Sequence, residues 1–234
     1  MNDHQQKQKE VINLIEQQVN SNTIRFSTVS PVTDYEIDQR MCLTAVHLPH
    51  QNLIEKIKET ILRPLQEISP EHYYYPDNSL HMTVKNIRTI NNPPHFTKED
   101  IATARDILAK TVPQHKKFTV YFYRLLLFPL NVALIGTTDP QLDDLVLDLD
   151  LKLKNAGVPD DKKYVNHKYF FSNITLARFT QSPTKTFKKK VEELSQTTNI
   201  APYIVDSVTL LTGNAVLQKQ HTFATWQLTD QLEI

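Results

Sequence analysis

The sequence predicts an α+β fold built from two lobes related by a pseudo-two-fold axis. Each lobe is a largely antiparallel sheet with flanking helices, and a groove lies between them. Three observations carry this expectation. Apolar residues alternate at strand spacing in some segments and recur at helical spacing in others. The order helix, strand, helix, strand, strand runs twice along the chain. Two short motifs, "LHMTV" around His81 and "SNITL" around Asn173, occupy equivalent places, with Thr83 and Thr175 standing 92 residues apart. A period of that length suggests duplicated lobes, since solenoid repeats are shorter.

Residues 1–40 read as an N-terminal helical extension and linker. Val11, Ile12, Leu14, Ile15 and Val19 form a partial helical stripe among glutamines, and a polar linker with Pro31 follows. The helix either packs on the body or belongs to a disordered arm. Residues 41–234 are the body. "MCLTAVHL" is a predicted strand ended by Pro49, and "QNLIEKIKETILRPL" carries one helical face at Leu53, Ile54, Ile57, Ile61 and Leu62. The first motif strand, "SLHMTVKNIRTI", comes next. Thr97 with Asp100 resembles a capping box opening "FTKEDIATARDILAK". "FTVYFYRLLLF" and "NVALIGT" form a predicted hairpin around "PL".

The second half repeats the order. Asp139 and Pro140 are the expected cap and first turn of "QLDDLVLDLDLKLKNA", with Gly157 placed to end it. "KYFFSNITLARF" is the second motif strand. Ser182 and Pro183 open "TKTFKKKVEELSQ", and "IVDSVTLLTG" with "HTFATWQL" make the closing strand pair.

Bulk properties narrow the function. The 234 residues suffice for a substantial core, and 40% apolar with 22% charged residues is ordinary for a globular chain. Lysine plus arginine equals aspartate plus glutamate at 26 each, so no global field favours coating DNA or RNA. Cys42 is the only cysteine, which excludes an intramolecular disulfide and a multi-cysteine zinc site. "LLLFPL" is far too short to cross a membrane, and the first residues lack the apolar stretch of a signal peptide, so no membrane role is expected. A cytoplasmic location is the expectation.

Side chains two apart on a strand share a face, so His81, Thr83 and Lys85 are expected together, and likewise Asn173 and Thr175. A hydroxyl donor, an ammonium and a proton-carrying imidazole suit a phosphate. Singly, each motif is three letters and fits an ordinary paired strand. The repetition makes the difference.

With "CLTAVHLP" before them, "LHMTV" and "NITLARF" resemble the motifs of the 2H phosphoesterases, closest to the RNA 2′,3′-cyclic phosphodiesterase and 2′-5′ RNA ligase-like group. The resemblance covers residues 41–230. It implies two H-x-T/S motifs on paired strands, with no metal and no cofactor. It implies His81 and Thr83 as the first motif, Thr175 as the second hydroxyl, and Arg178 as the arginine of "TLAR". The ligand implied is a nucleotide or RNA end and not DNA. In such a site one histidine takes a proton from the nucleophile and the other gives one to the leaving oxygen. This chain departs at Asn173, whose amide carries no proton at neutral pH. The glycine that often follows the first motif is absent too.

His167 shares the parity of Asn173 and is a candidate substitute, against an ordinary surface histidine. His221 opens the last strand, where a groove-lining residue is expected, and Lys85 is a candidate charge stabiliser. One of Tyr73, Tyr74 and Tyr75 is a candidate for stacking on a base, though packing at a lobe edge is the better reading. His47, His50, His72, His95 and His115 read as solvated side chains, and Lys188 to Lys190 as a solvent face. The function expected is a 2H-type phosphoesterase with weakened or altered catalysis. A non-catalytic binder that keeps the groove is the alternative, and a partner-binding protein docking through residues 1–40 is a third.

Overall fold

The structure, a computed structural model, describes residues 2–32 and 34–230. Helix α1 (Asp3–Asn20) opens with a capping box, in which Gln5 N–H donates to Asn2 Oδ1 at 2.9 Å and Asn2 N–H donates to Gln5 Oε1. β1 (Met41–His47) leads into α2 (Gln51–Ile57) and α3 (Arg63–Ile68), which a π turn at Lys58–Leu62 joins without a break. The turn has a cause in Pro64. Its ring clashes with the carbonyl four residues back and it offers no N–H, so the helix widens there. β2 (Tyr73–Tyr74), β3 (Met82–Asn91) and α4 (Lys98–Thr111) follow. The predicted box at Thr97 and Asp100 is present in both directions.

β4 (Phe118–Leu127) and β5 (Asn131–Thr138) form the predicted hairpin, closed where Phe128 N–H donates to the Asn131 carbonyl at 2.8 Å. α5 (Gln141–Asn155) ends as expected, with Gly157 at φ +81° and Val158 N–H donating to Leu153 O. Its start differs, because the Asp139 carboxylate accepts from Thr119 N–H on β4 instead of capping the helix. α6 (Lys185–Thr197) is capped by Thr184, two residues beyond the expected Ser182. β7 (Tyr203–Val205), β8 (Ser207–Gly213) and β9 (Gln220–Gln227) complete the chain.

The strands form one sheet in the order β7-β4-β5-β6-β3-β1-β8-β9, with β2 beside β6. One lobe is β3, β1, β8 and β9, and the other is β6, β5, β4 and β7. Strand pairings are antiparallel throughout, as the α+β expectation required. The two halves of the chain nevertheless exchange strands. The β4–β5 hairpin of the first half lies beside β6 in the second lobe, and β8 with β9 lie beside β1 in the first. Asp206 alone separates β7, at one margin, from β8, near the other. So short a link requires the sheet to curl until its margins nearly meet. Leu228 N–H reaching Asp206 O and Lys117 N–H reaching Thr229 O close the seam.

Helices α2 to α6 pack one face around a single core, which takes Val132 and Leu134 from β5. The alternate residues Ala133 and Ile135 face the other way and pack with Ile12 of α1. Strand β5 is thus buried on both faces, which is why "VALIG" reads as an unbroken apolar run. Gln8 anchors α1. Its amide nitrogen donates to Thr138 Oγ1 at 2.7 Å and to Phe170 O, and its oxygen accepts from Thr138 N–H at 2.8 Å. No helix among the described residues is long and apolar enough to cross a membrane.

A Gln8→Leu substitution keeps the size of the side chain and orphans a buried backbone N–H. We expect a loss of about 1–3 kcal/mol of folding stability, measured by urea denaturation. A midpoint unchanged from the parent would mean that α1 is not held through this amide.

Candidate functional site

The two motif strands meet at the centre of the sheet through one pair, Met82 opposite Ile174. Both of those side chains are buried in the core. Their sequence neighbours therefore project from the opposite face. Antiparallel continuation of the pair sets Thr83 opposite Asn173 and His81 opposite Thr175, a two-by-two patch in which each strand turns its hydroxyl toward the other strand's nitrogen-bearing side chain. A cavity of about 300 Å³ opens on this face. Thr83, Asn86, Asn173 and Thr175 line it from β3 and β6, and Phe128, Phe170 and Phe171 form apolar walls. Residues Ile24, Phe26 and Val29 of the N-terminal segment line it as well.

His81 lies at the entry to β3, partly buried. Its Nδ1–H donates to the Ser79 carbonyl at 2.7 Å, which leaves Nε2 as the ring nitrogen able to accept a proton. Burial, reinforced by the Arg178 charge and opposed by the Ser79 carbonyl, pushes its pKa down to about 4. The ring is neutral at physiological pH, in the state a base requires. Arg178 is buried behind the patch, with Nε donating to the Tyr75 hydroxyl at 2.9 Å and Nη2 to Ala215 O. Arg178 still contributes to the cavity lining.

Two expected ligand-facing residues are elsewhere. Lys85 does not share the face of Thr83. A bulge against β1, where Ala45 and Val46 pair with Lys85 and Thr83, inserts Val84 and reverses the side-chain alternation. Lys85 is 2% exposed and bound to Asp150 at 2.6 Å and Asp160 at 2.7 Å, while Asn86 takes the cavity side. His221 sits exposed on the edge strand β9, separated from β3 by β1 and β8, and packs against Phe223. His167 is exposed in the loop before β6, which begins only at Ser172. The backbone at Phe170 is held by Asp143 and Gln8 and joins no strand.

Lys162 was not singled out in the sequence, where it is one lysine of a surface-like "DDKK". It lines the cavity and makes no ion pair among the described residues. Burial pulls its ammonium below the ordinary range, against the Asp160 charge and with that of Lys85. Nor is every loop histidine solvated. His72 is buried between Phe179 and Phe187. His47 is buried too, bonded to Ser207 O at 2.9 Å and the Tyr203 hydroxyl at 2.8 Å. It stands near His50 and Asp206, a grouping of metal-ligand type in which both His47 nitrogens already have partners. Tyr74 and Tyr75 serve packing and support of Arg178.

The fold matches that of solved LigT structures. The chain is similar to the crystal structure of E. coli LigT in apo form, with a TM-score of 0.53 and 16% identity over 82% of this chain and 99% of that one. E. coli LigT complexed with 3′-AMP aligns with a TM-score of 0.51 and 17% identity over 81% and 98% of the two chains. A conserved protein of unknown function from Agrobacterium tumefaciens aligns at 0.57 with 16% identity, covering 88% of this chain and 95% of that one. Comparison with protein-family models finds no match, and comparison with curated protein sequences finds none either.

The buried histidines give a pH prediction. His47 and His81 are held at about 4 in the folded protein, against 6.5 for a free histidine. Between those values the unfolded chain binds protons that the folded chain refuses. Stability is therefore full above about pH 7 and falls as the pH drops toward 4. Urea midpoints at pH 7.5 and pH 5 should show the loss, and His81→Gln should reduce it. A flat profile would contradict the burial assigned to both rings.

Proposed function

We propose that this chain is a 2H-type phosphoesterase acting on 2′,3′-cyclic phosphate or 2′-5′ phosphodiester bonds of nucleotides or RNA ends, with one of its two acid–base positions replaced. The observation that carries this reading is the patch across the Met82–Ile174 pair, where Thr83, Asn173 and Thr175 line one cavity and the strand register sets His81 opposite Thr175. The likeness to LigT, a protein also seen with 3′-AMP, supports a nucleotide as ligand.

In this reading Thr83 and Thr175 donate hydrogen bonds to phosphate oxygens, and Asn173 orients the phosphate or the water. Arg178 and Lys162 supply positive charge. His81 Nε2 removes a proton from the attacking water as its oxygen bonds to phosphorus and one ester P–O bond breaks. The leaving alkoxide then needs a proton. A second imidazolium would provide it, but the Asn173 amide has none to give, so the proton comes from solvent. General acid help is worth about 10²–10⁴-fold in rate, and turnover should be slower than a two-histidine site by that order. Asn173 is also what favours the second reading, a binder of nucleotides or RNA ends that retains the groove without turnover.

Hydrolysis of 2′,3′-cyclic nucleotides and a 2′-5′ dinucleotide separates the two. The parent should exceed His81→Ala by about 10²–10⁴-fold, and equal rates would leave only the binder. Thr83→Val with Thr175→Val should weaken binding of 2′- and 3′-nucleotides by at least about tenfold in calorimetry. Asn173→His should raise the hydrolysis rate; no gain would mean that the second position lies out of line with the phosphate.

A further inference from the structure

We propose that residues 21–32 and 34–40 narrow the groove into a chamber for a free mononucleotide-sized phosphoester, which shuts out an RNA chain. The inference rests on the phosphoester reading above and specifies the size of its ligand.

The segment crosses the patch along two stretches. In the first, Ser27 is tied to the loop before β6 in both directions. Its N–H donates to Lys163 O at 3.0 Å, and its Oγ accepts from Lys163 N–H at 2.8 Å. This holds Ile24, Phe26 and Val29 over Thr83, Asn173 and Thr175, so the cavity has a polar floor and an apolar roof. Farther along, Arg40 donates to Ser30 O and pairs with Asp38, which folds the second stretch back on the first.

That second stretch covers the cation. Tyr35 is 1% exposed, its ring centroid 5.7 Å from the Arg178 guanidinium and 5.7 Å from the Tyr73 ring. Its carbonyl accepts from Asn214 Nδ2 at 3.1 Å, yet its buried hydroxyl has no hydrogen-bond partner among the described residues. An aromatic ring on a guanidinium occupies the face on which a base of a longer strand would stack. Burial raises the Asp38 carboxyl, but bonds from Arg40 and the charges of Arg40 and Arg178 overcome this and hold it ionised. What remains is the chamber of about 300 Å³, at the small end of ligand sites. It suits one flat ring with one phosphate. Aromatic walls and roof match the ring, and hydroxyls and amides match the phosphate.

The segment can be locked without truncation. Cys42 is the only native cysteine, so Ser27→Cys with Lys163→Cys permits one designed disulfide whose oxidised and reduced forms are compared in the same protein. The probes are 3′-AMP and a five-nucleotide RNA ending in a 3′-phosphate, with binding measured by calorimetry. We expect 3′-AMP to bind the oxidised and reduced forms within about threefold. The RNA should bind both at least about tenfold more weakly, while Phe26→Ser with Tyr35→Ala recovers RNA binding by at least about tenfold. Equal binding of RNA and 3′-AMP by the locked protein overturns the proposal. So does loss of 3′-AMP binding on locking, or 3′-AMP binding only after the segment is opened, since the segment would then be a plug. Absence of binding by every form, the opened one included, instead removes the phosphoester reading itself.

Discussion

The site hangs on a single backbone pair. Met82 and Ile174 are the pair through which the two motif strands, one from each lobe, meet at the centre of the sheet. Because both of these side chains are in the core, the residues on either side of each must face outward, and the patch follows without any further instruction from the chain. Shifting the register by one residue would send the threonines into the core and the apolar pair into the groove. The sheet's hydrophobic pattern forbids that more strongly than any contact within the patch.

Around the junction the protein has separated its charges with care. Lys85 is removed from the groove and neutralised by Asp150 and Asp160, with the Tyr164 hydroxyl also bound to Asp160. A buried cluster of this kind survives only when each charge has its partner. Arg178 is different, for it spends two donors on Tyr75 and Ala215 and remains part of the cavity lining. The neighbouring Lys162 makes no ion pair among the described residues and sits over the Tyr164 ring, in a place that disfavours its charge. A chamber with neutral hydroxyl and amide donors on its floor and two cations behind them is disposed toward an anion.

Much of this was legible in the residues, and the exceptions have physical reasons. The Thr97–Asp100 box, the glycine stop at Gly157 and the β4–β5 hairpin are local chemistry, and local chemistry is what a sequence displays. The motif threonines were readable because two neighbours at period 2 flank a core residue. Lys85 was misplaced because a bulge at Val84 depends on the partner strand β1, which leaves no mark in "MTVKN" itself. The late start of β6 depends on Asp143 and Gln8, one from a helix 27 residues away and the other from the N-terminus. The exchange of the β4–β5 and β8–β9 hairpins between lobes is likewise invisible to periodicity, which registers elements and not their neighbours. His221 was assigned by analogy with the end of a related chain, and the strand order places it on the edge strand β9, with two strands between it and β3.

The link at Asp206 has a mechanical consequence. One residue spans from β7 at one margin of the sheet to β8 near the other, and neighbouring Cα atoms are about 3.8 Å apart. The margins are stitched, so the curl of the sheet is set and the lobes cannot swing apart like the halves of a clamp. Any passage into the groove must then be made by a segment that lies over the sheet, because the sheet itself has no slack to give.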